Sequence, residues 1–176
     1  MLNAVMTARL DPETRADLAR QYREDQSDSW SAARAADLSA GVAEWLLMHA
    51  RREQYRVAYR DFFRDWDVLL APITLRNAFA HVDMSWPALD SMRHVQLDVD
   101  GRPHPYSNQL VYLGVATRSG QPATAFPVGL SHEGMPMGLQ AIGPYLEDMT
   151  PVRFAGLAAA ELGGFVRPPG YDAALT

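Results

Sequence analysis

Between residues 31 and 66 apolar side chains recur every three or four positions: Val42, Trp45, Leu46, His49, Tyr55, Tyr59, Phe62, Phe63 and Trp66. Arg51, Arg52, Glu53, Arg56, Arg60, Asp61 and Arg64 lie mostly off that stripe. The spacing predicts one long helix with an apolar face packed on a sheet or on other helices. The segment holds no Pro, and Gly41 is its single helix-weakening glycine. Upstream, Asp11, Pro12 and Glu13 have the order of an N-cap, a first-turn proline and an acid at the positive end of the helix dipole. They predict a helix over residues 12–26, followed by a polar turn at residues 25–31.

The period changes after Asp67. Residues 68–71 form a short continuous apolar run that stops at Pro72, the pattern of a buried central strand. Residues 75–91 have no period and predict a long loop. Residues 94–104 alternate around Asp100-Gly101, a dipeptide that tolerates positive φ at both central positions of a type I′ turn, so a hairpin is expected. Residues 106–118 read better as helix than as strand. Residues 123–128 and 139–142 read as two buried strands, and the connection between them is too short for a parallel crossover, so they are expected to pair antiparallel. Gly129 and Gly134 supply the positive φ that this tight connection needs. Thr150 and Pro151 open a last helix over residues 152–162, which Gly163 and Gly164 stop. No repeat or linker divides the sequence, so residues 1–176 read as a single α/β domain with layered elements.

Composition narrows the class. With 176 residues, 48% of them apolar, the chain can fill a core. A formal charge of -5 gives no basic field for nucleic acid. Cysteine is absent, which removes disulfides and thiolate chemistry and suits the cytoplasm. No stretch approaches the roughly 20 apolar residues of a membrane helix. All 16 basic residues are Arg, so no mechanism that needs a lysine amine is open to this chain acting alone.

Candidate chemistry is sparse. His49, His81, His94, His104 and His132 include no pair spaced three or four apart, which argues against a metal site. There is no G-x-S-x-G turn and no phosphate loop. Ser119 and Ser131 read as turn residues, with a serine hydrolase built on one of them and a histidine kept as an alternative. Glu147-Asp148 and Asp98/Asp100 read as helix-end and hairpin acids.

Four segments nevertheless resemble one family: RDWDVLLAPIT (residues 64–74), DGRPHPY (100–106), GQPATAFPVGLSHEGMPMGLQAIGPYLEDMT (120–150) and GGFVRPPGY (163–171). Together they resemble the C-terminal portion of bacterial amidase-signature enzymes. The resemblance implies a partial three-layer α/β/α fold with a mixed sheet and flanking helices. It implies hydrolysis of amide carbon-nitrogen bonds without metal or organic cofactor, by a Ser-Ser-Lys triad whose members lie upstream of the part matched here. On this reading the chain is the C-terminal part of an amidase, the catalytic N-terminal part is absent, and no catalytic residue is assigned. Ile73 and Thr74, past the end of the predicted strand, are the substrate-pocket candidates, with plain packing as the competing role of Ile73 and a strand-end turn that of Thr74. The expected partners are the N-terminal half of the enzyme, an amide substrate in the intact enzyme only, and further copies of the chain through an exposed sheet edge. The alternative is a non-catalytic binding or subunit module that reuses the amidase fold.

Overall fold

The computed structural model describes residues 7–24, 29–83 and 95–170. The chain divides into two compact units, residues 1–55 and 56–176.

In the first unit the predicted cap forms: Asp11 Oδ1 accepts the Thr14 amide at 2.9 Å and α1 runs over Pro12–Glu24. Hydrogen bonds from Thr14, its hydroxyl first and its amide second, hold the Asp11 carboxyl below its ordinary range. Residues 25–28 of the predicted turn lie outside the described residues, and Ser29 is already helical. Helix α2 (Ser29–Ser39) packs on α1. Ala19, Tyr22, Ala35 and Leu38 are buried, and the Arg34 guanidinium lies 5.6 Å from the Tyr22 ring centroid.

The single long helix predicted from residue 31 is two helices. The break is at Gly41, whose amide donates to Glu44 Oε2 at 3.0 Å and whose carbonyl accepts the Trp45 amide at 3.0 Å. That is half of a capping box, and it opens a new helix, α3 (Val42–Phe62). A glycine costs a helix interior about 1 kcal/mol relative to Ala, and a Glu three residues on makes an end the better use of it. The apolar stripe is also less covered than its spacing predicts. No residue of α3 is buried, and Val42 is 77% exposed.

The second unit holds the end of α3 and most of the regular structure. Its elements are β1 (Leu69–Pro72), β2 (Gln96–Val99), β3 (Arg102–Pro105), a 3₁₀ turn at Tyr106–Leu110, α4 (Leu113–Thr117), β4 (Ala123–Leu130), β5 (Pro136–Ile142) and α5 (Met149–Leu162). The predicted β2–β3 hairpin forms, with Asp100 at φ 53° and Gly101 at φ 77°. The helical reading of residues 106–118 resolves into the 3₁₀ turn and α4. Residues 84–91 of the predicted loop, and His94, lie outside the described residues.

Strands β4 and β5 pair antiparallel as their short connection requires, and β1 adds to the far side of β5 in the order β1-β5-β4. The expectation that residues 68–71 form the central strand is thus corrected among the described residues: β5 is central and β1 is an edge. An apolar run ending in Pro carries no mark that tells one buried face from two, and β1 buries only one. Residues directly opposite in an antiparallel ladder share a face, so Leu69 and Ala71 lie on the same side as Ile142 and Gln140. That side meets Ala116 and Val115 of α4 and Phe63 just beyond α3. On the other side Phe126 of β4 meets Phe154 of α5, with ring centroids 5.8 Å apart. The result is helix, sheet, helix in three layers. Every ladder of the described sheets is antiparallel.

Two contacts seat the end of α3 on α4. Tyr59 donates its hydroxyl to Val115 O at 2.8 Å, and Arg56 Nε donates to Ser119 O at 2.8 Å while its guanidinium lies 4.2 Å from the Tyr145 ring centroid. Below the sheet, α5 starts one residue ahead of Thr150, whose hydroxyl donates to Glu147 Oε2 at 3.1 Å. Gly163, at φ 91°, ends it as predicted. Gly143 lets the start of α5 approach β5: a Cβ there would stand 2.6 Å from Pro151 Cδ.

Gly143→Ala therefore drives a methyl into a proline ring and is expected to cost about 1–3 kcal/mol, read as a lower urea midpoint with an unchanged m-value. Burial pushes the Tyr59 phenol above its ordinary value of 10.0. Above that value the unfolded chain gives up a proton that the folded chain keeps, so folding stability is lost as pH rises from the unfolded toward the folded value. Tyr59→Phe should remove this part of the alkaline loss and, by deleting the bond to Val115 O, lower neutral stability by about 1 kcal/mol; paired pH melts of the two proteins check both signs.

Candidate functional site

The segment after β1 is where the sheet can present side chains beyond its own ladder. Pro72 pairs with Leu139 and is the last residue of β1. Its carbonyl is not left to solvent. Gln140 of β5 donates Nε2 to Pro72 O at 2.8 Å and to Tyr112 O at 3.0 Å. Both hydrogens of that amide nitrogen are used, and Gln140 is only 5% exposed. A buried carboxamide without partners would cost about 1–3 kcal/mol. Here it ties the end of β1 to the residue before α4.

Ile73 continues the face of Leu69 and Ala71. It is half-buried over Gly138, where an added Cβ would stand 3.3 Å from Ile73 Cδ1 and 3.1 Å from the Phe126 carbonyl oxygen. The missing side chain at Gly138 is what lets Ile73 lie down on the sheet. Thr74 is exposed and donates its hydroxyl to Arg76 O at 2.8 Å. Arg76 in turn donates Nη1 to Asp98 O in β2 and places its guanidinium 5.6 Å from the Phe79 ring centroid. The turn that carries Ile73 and Thr74 is thus anchored on both sides, by Gln140 before it and by Arg76 after it. Ile73 has a packing contact as well as a place at the strand end, and Thr74 is a strand-end turn residue with a surface hydroxyl.

The anchoring roles of Gln140, Arg56 and Tyr59 were not singled out by sequence reasoning. Gln140 carried a signal: it is the one polar side chain in the apolar run of residues 139–142, and a polar group inside a buried strand has to be paired. Arg56 and Tyr59 sit on a helix face whose partner cannot be read from helical spacing.

The turn holds an apolar wall, a hydroxyl and fixed carbonyls, and no nucleophile beside a base. Ser119 is fully buried, its hydroxyl reaching Ala116 O at 3.4 Å. Ser131 accepts the amides of Glu133 at 3.3 Å and Met135 at 3.2 Å, which makes it a turn residue of the β4–β5 connection. Gly129 at φ 130° and Gly134 at φ 77° occupy that connection as expected. Among the described residues neither serine is hydrogen-bonded to a histidine, and no three His, Asp or Glu side chains converge. No helix of the described residues is long and apolar enough to cross a membrane.

Comparison with known proteins gives these features a context. The Amidase family model matches residues 3–151. A glutamyl-tRNA(Gln) amidotransferase subunit of Zymomonas mobilis is 36% identical over 135 residues, covering 75% of this chain and 24% of that protein. The 1-carboxybiuret hydrolase subunit of Pseudomonas sp. strain ADP is 31% identical over 120 residues, covering 62% of this chain and 23% of that protein. Among solved structures, an amidase superposes with a TM-score of 0.54 at 25% identity, over 85% of this chain and 33% of its own. 6-Aminohexanoate cyclic dimer hydrolase shares the fold, with a TM-score of 0.58 at 19% identity over 89% of this chain and 34% of its own. The chain spans about a quarter of the length of the curated relatives it matches. With a family match over most of its residues and a helix-sheet-helix fold shared with solved relatives, this chain belongs to the Amidase family.

Proposed function

We propose that the chain is the C-terminal region of an amide hydrolase, that it supplies sheet strands and one wall of the substrate pocket, and that it does not turn over amides alone. The observation that carries this reading is the strand end anchored by Gln140 and Arg76, which offers Ile73 and Thr74 as a fixed surface with no proton-transfer pair beside it. An acyl group laid against Ile73 meets an apolar wall, and the Thr74 hydroxyl stands at its polar end. The Ser-Ser-Lys device implied by the family resemblance needs an amine that titrates. Every side-chain amine-type base in this chain is a guanidinium, which keeps its proton throughout the neutral range and so has no free site to take one up. The serines and the lysine would come from the N-terminal half of the enzyme, with no metal or organic cofactor, in the cytoplasm. The relatives named as hydrolases and amidotransferase subunits, each several times longer than the part matched, support this division of labour.

The purified chain is expected to hydrolyse no simple carboxamide such as propionamide and to form no stoichiometric adduct with a fluorophosphonate probe. Turnover that vanishes when one of its own side chains is changed contradicts the reading. Gln140→Glu keeps the volume but leaves at most one hydrogen to donate, so at least one of the Pro72 and Tyr112 carbonyls loses its partner. It should cost about 1–3 kcal/mol or more in urea unfolding, and no loss would show that the tie does not hold the strand end.

A further inference from the structure

The β2–β3 hairpin reverses on two residues. Val99 pairs with Arg102, and between them stand Asp100 at φ 53° and Gly101 at φ 77°. Positive φ at both central residues makes this a type I′ turn. Asp98 braces it: its Oδ1 accepts the Gly101 amide at 3.2 Å. Asp98, Asp100 and Gly101 are all exposed, and Asp100-Gly101 is the one place in the sequence where Asp or Asn stands directly before Gly.

An aspartate carboxyl and the amide nitrogen of the next residue can close a five-membered imide. Here the Gly101 nitrogen bonds to Asp100 Cγ, and the amide hydrogen and the carboxyl hydroxyl leave as water. Water then adds back at either carbonyl. Breaking the new bond between nitrogen and Cγ restores aspartate, whereas breaking the bond between nitrogen and the main-chain carbon leaves isoaspartate, with the chain running through the side chain. Nothing is oxidised or reduced, and water is the only co-reactant. Glycine hinders the attack least, because it has no Cβ beside the nitrogen. The folded turn opposes it. Ring closure needs the Gly101 nitrogen and Asp100 Cβ eclipsed about the Cα–C bond, but ψ of about 30° at the first central residue of a type I′ turn sets them on opposite sides. The bond to Asp98 Oδ1 holds the nitrogen in that place.

We propose that Asp100 is a site of spontaneous conversion to isoaspartate, closed while the β2–β3 turn is made and opened when the Asp98 carboxylate releases the Gly101 amide. Asp98 is then a latch and not a reactant. The atoms that react and the one that restrains them lie within residues 98–101, so neither the rest of an amidase nor a second chain takes part. Asp98 itself precedes Val99, whose branched side chain crowds the same attack, and this confines the reaction to one residue. The consequence bears on the candidate pocket. Isoaspartate puts one extra atom into the main chain of a turn that fixes the register of its strands, and the Asp98 carbonyl in β2 is the one that receives Arg76 from the segment after Thr74.

The test incubates the purified chain at neutral pH, folded or unfolded in guanidinium chloride, and counts isoaspartate at residue 100 by electron-transfer fragmentation of the peptide that carries it. The unfolded chain is expected to accumulate it at least roughly tenfold faster, since the folded chain reacts only through turns that have opened. Asp98→Ala, at an exposed position, should stay folded by circular dichroism, raise the folded rate severalfold and leave the unfolded rate unchanged. Equal rates in the folded and unfolded chains, no isoaspartate at residue 100 in the unfolded chain, or a folded Asp98→Ala that reacts no faster than the parent overturns the proposal. The comparison of folded with unfolded chain needs no substitution, so it decides the matter if Asp98→Ala does not fold. The readout is modification, not turnover, so failure here leaves the amidase reading untouched.

Discussion

One carboxamide joins three segments that are distant in the chain. Gln140 reaches Pro72, 68 residues away, and Tyr112, 28 residues away, from the middle strand of the sheet. Each bond is worth only about 0.5–1.5 kcal/mol net, but the cost of leaving its partners buried and unpaired is larger, so the geometry is strongly preferred. The end of β1, the start of α4 and the turn holding Ile73 and Thr74 take their positions from this group. Gly138, two residues before Gln140 on the same face, completes the arrangement by leaving room for Ile73.

The layer above the sheet depends on a second pair of side chains. Tyr59 and Arg56 each spend one donor on a backbone carbonyl, those of Val115 and Ser119, within or just past a five-residue helix that has little hydrogen bonding of its own. The layer below depends on a ring contact, Phe126 on Phe154, and on the close approach that Gly143 permits. The polar ties therefore sit on the face that carries the candidate pocket, and the opposite face is held by packing.

Much of this was legible in the sequence because local chemistry decides it. Asp11 with Thr14, Asp100-Gly101, the β4–β5 connection and Gly163 each carry their own turn or cap signal, and each forms as expected. The amidase resemblance rests on segments that hold the last three of these features, together with residues 64–74. Other outcomes depend on what packs where. Gly41 ends a helix because Glu44 is placed to accept its amide. The stripe from Val42 to Trp66 has the helical period of a core face, and period alone does not say how much of a face is covered. β1 reads as a central strand because an apolar run ending in proline looks the same at an edge. The candidate pocket residues show the same division: Ile73 is proposed from its place after a strand, but Gln140, which holds the Pro72 carbonyl just before it, is identified only when its two carbonyl partners are in view.

The role of Gln140 is tested most directly by nuclear magnetic resonance of its side-chain amide. The account predicts that both Nε2 protons exchange with solvent far more slowly than those of Gln54, an exposed residue on α3, and that each shows a hydrogen-bond coupling or an isotope shift to a carbonyl, one at Pro72 and one at Tyr112. Exchange as fast as that of Gln54 would contradict it.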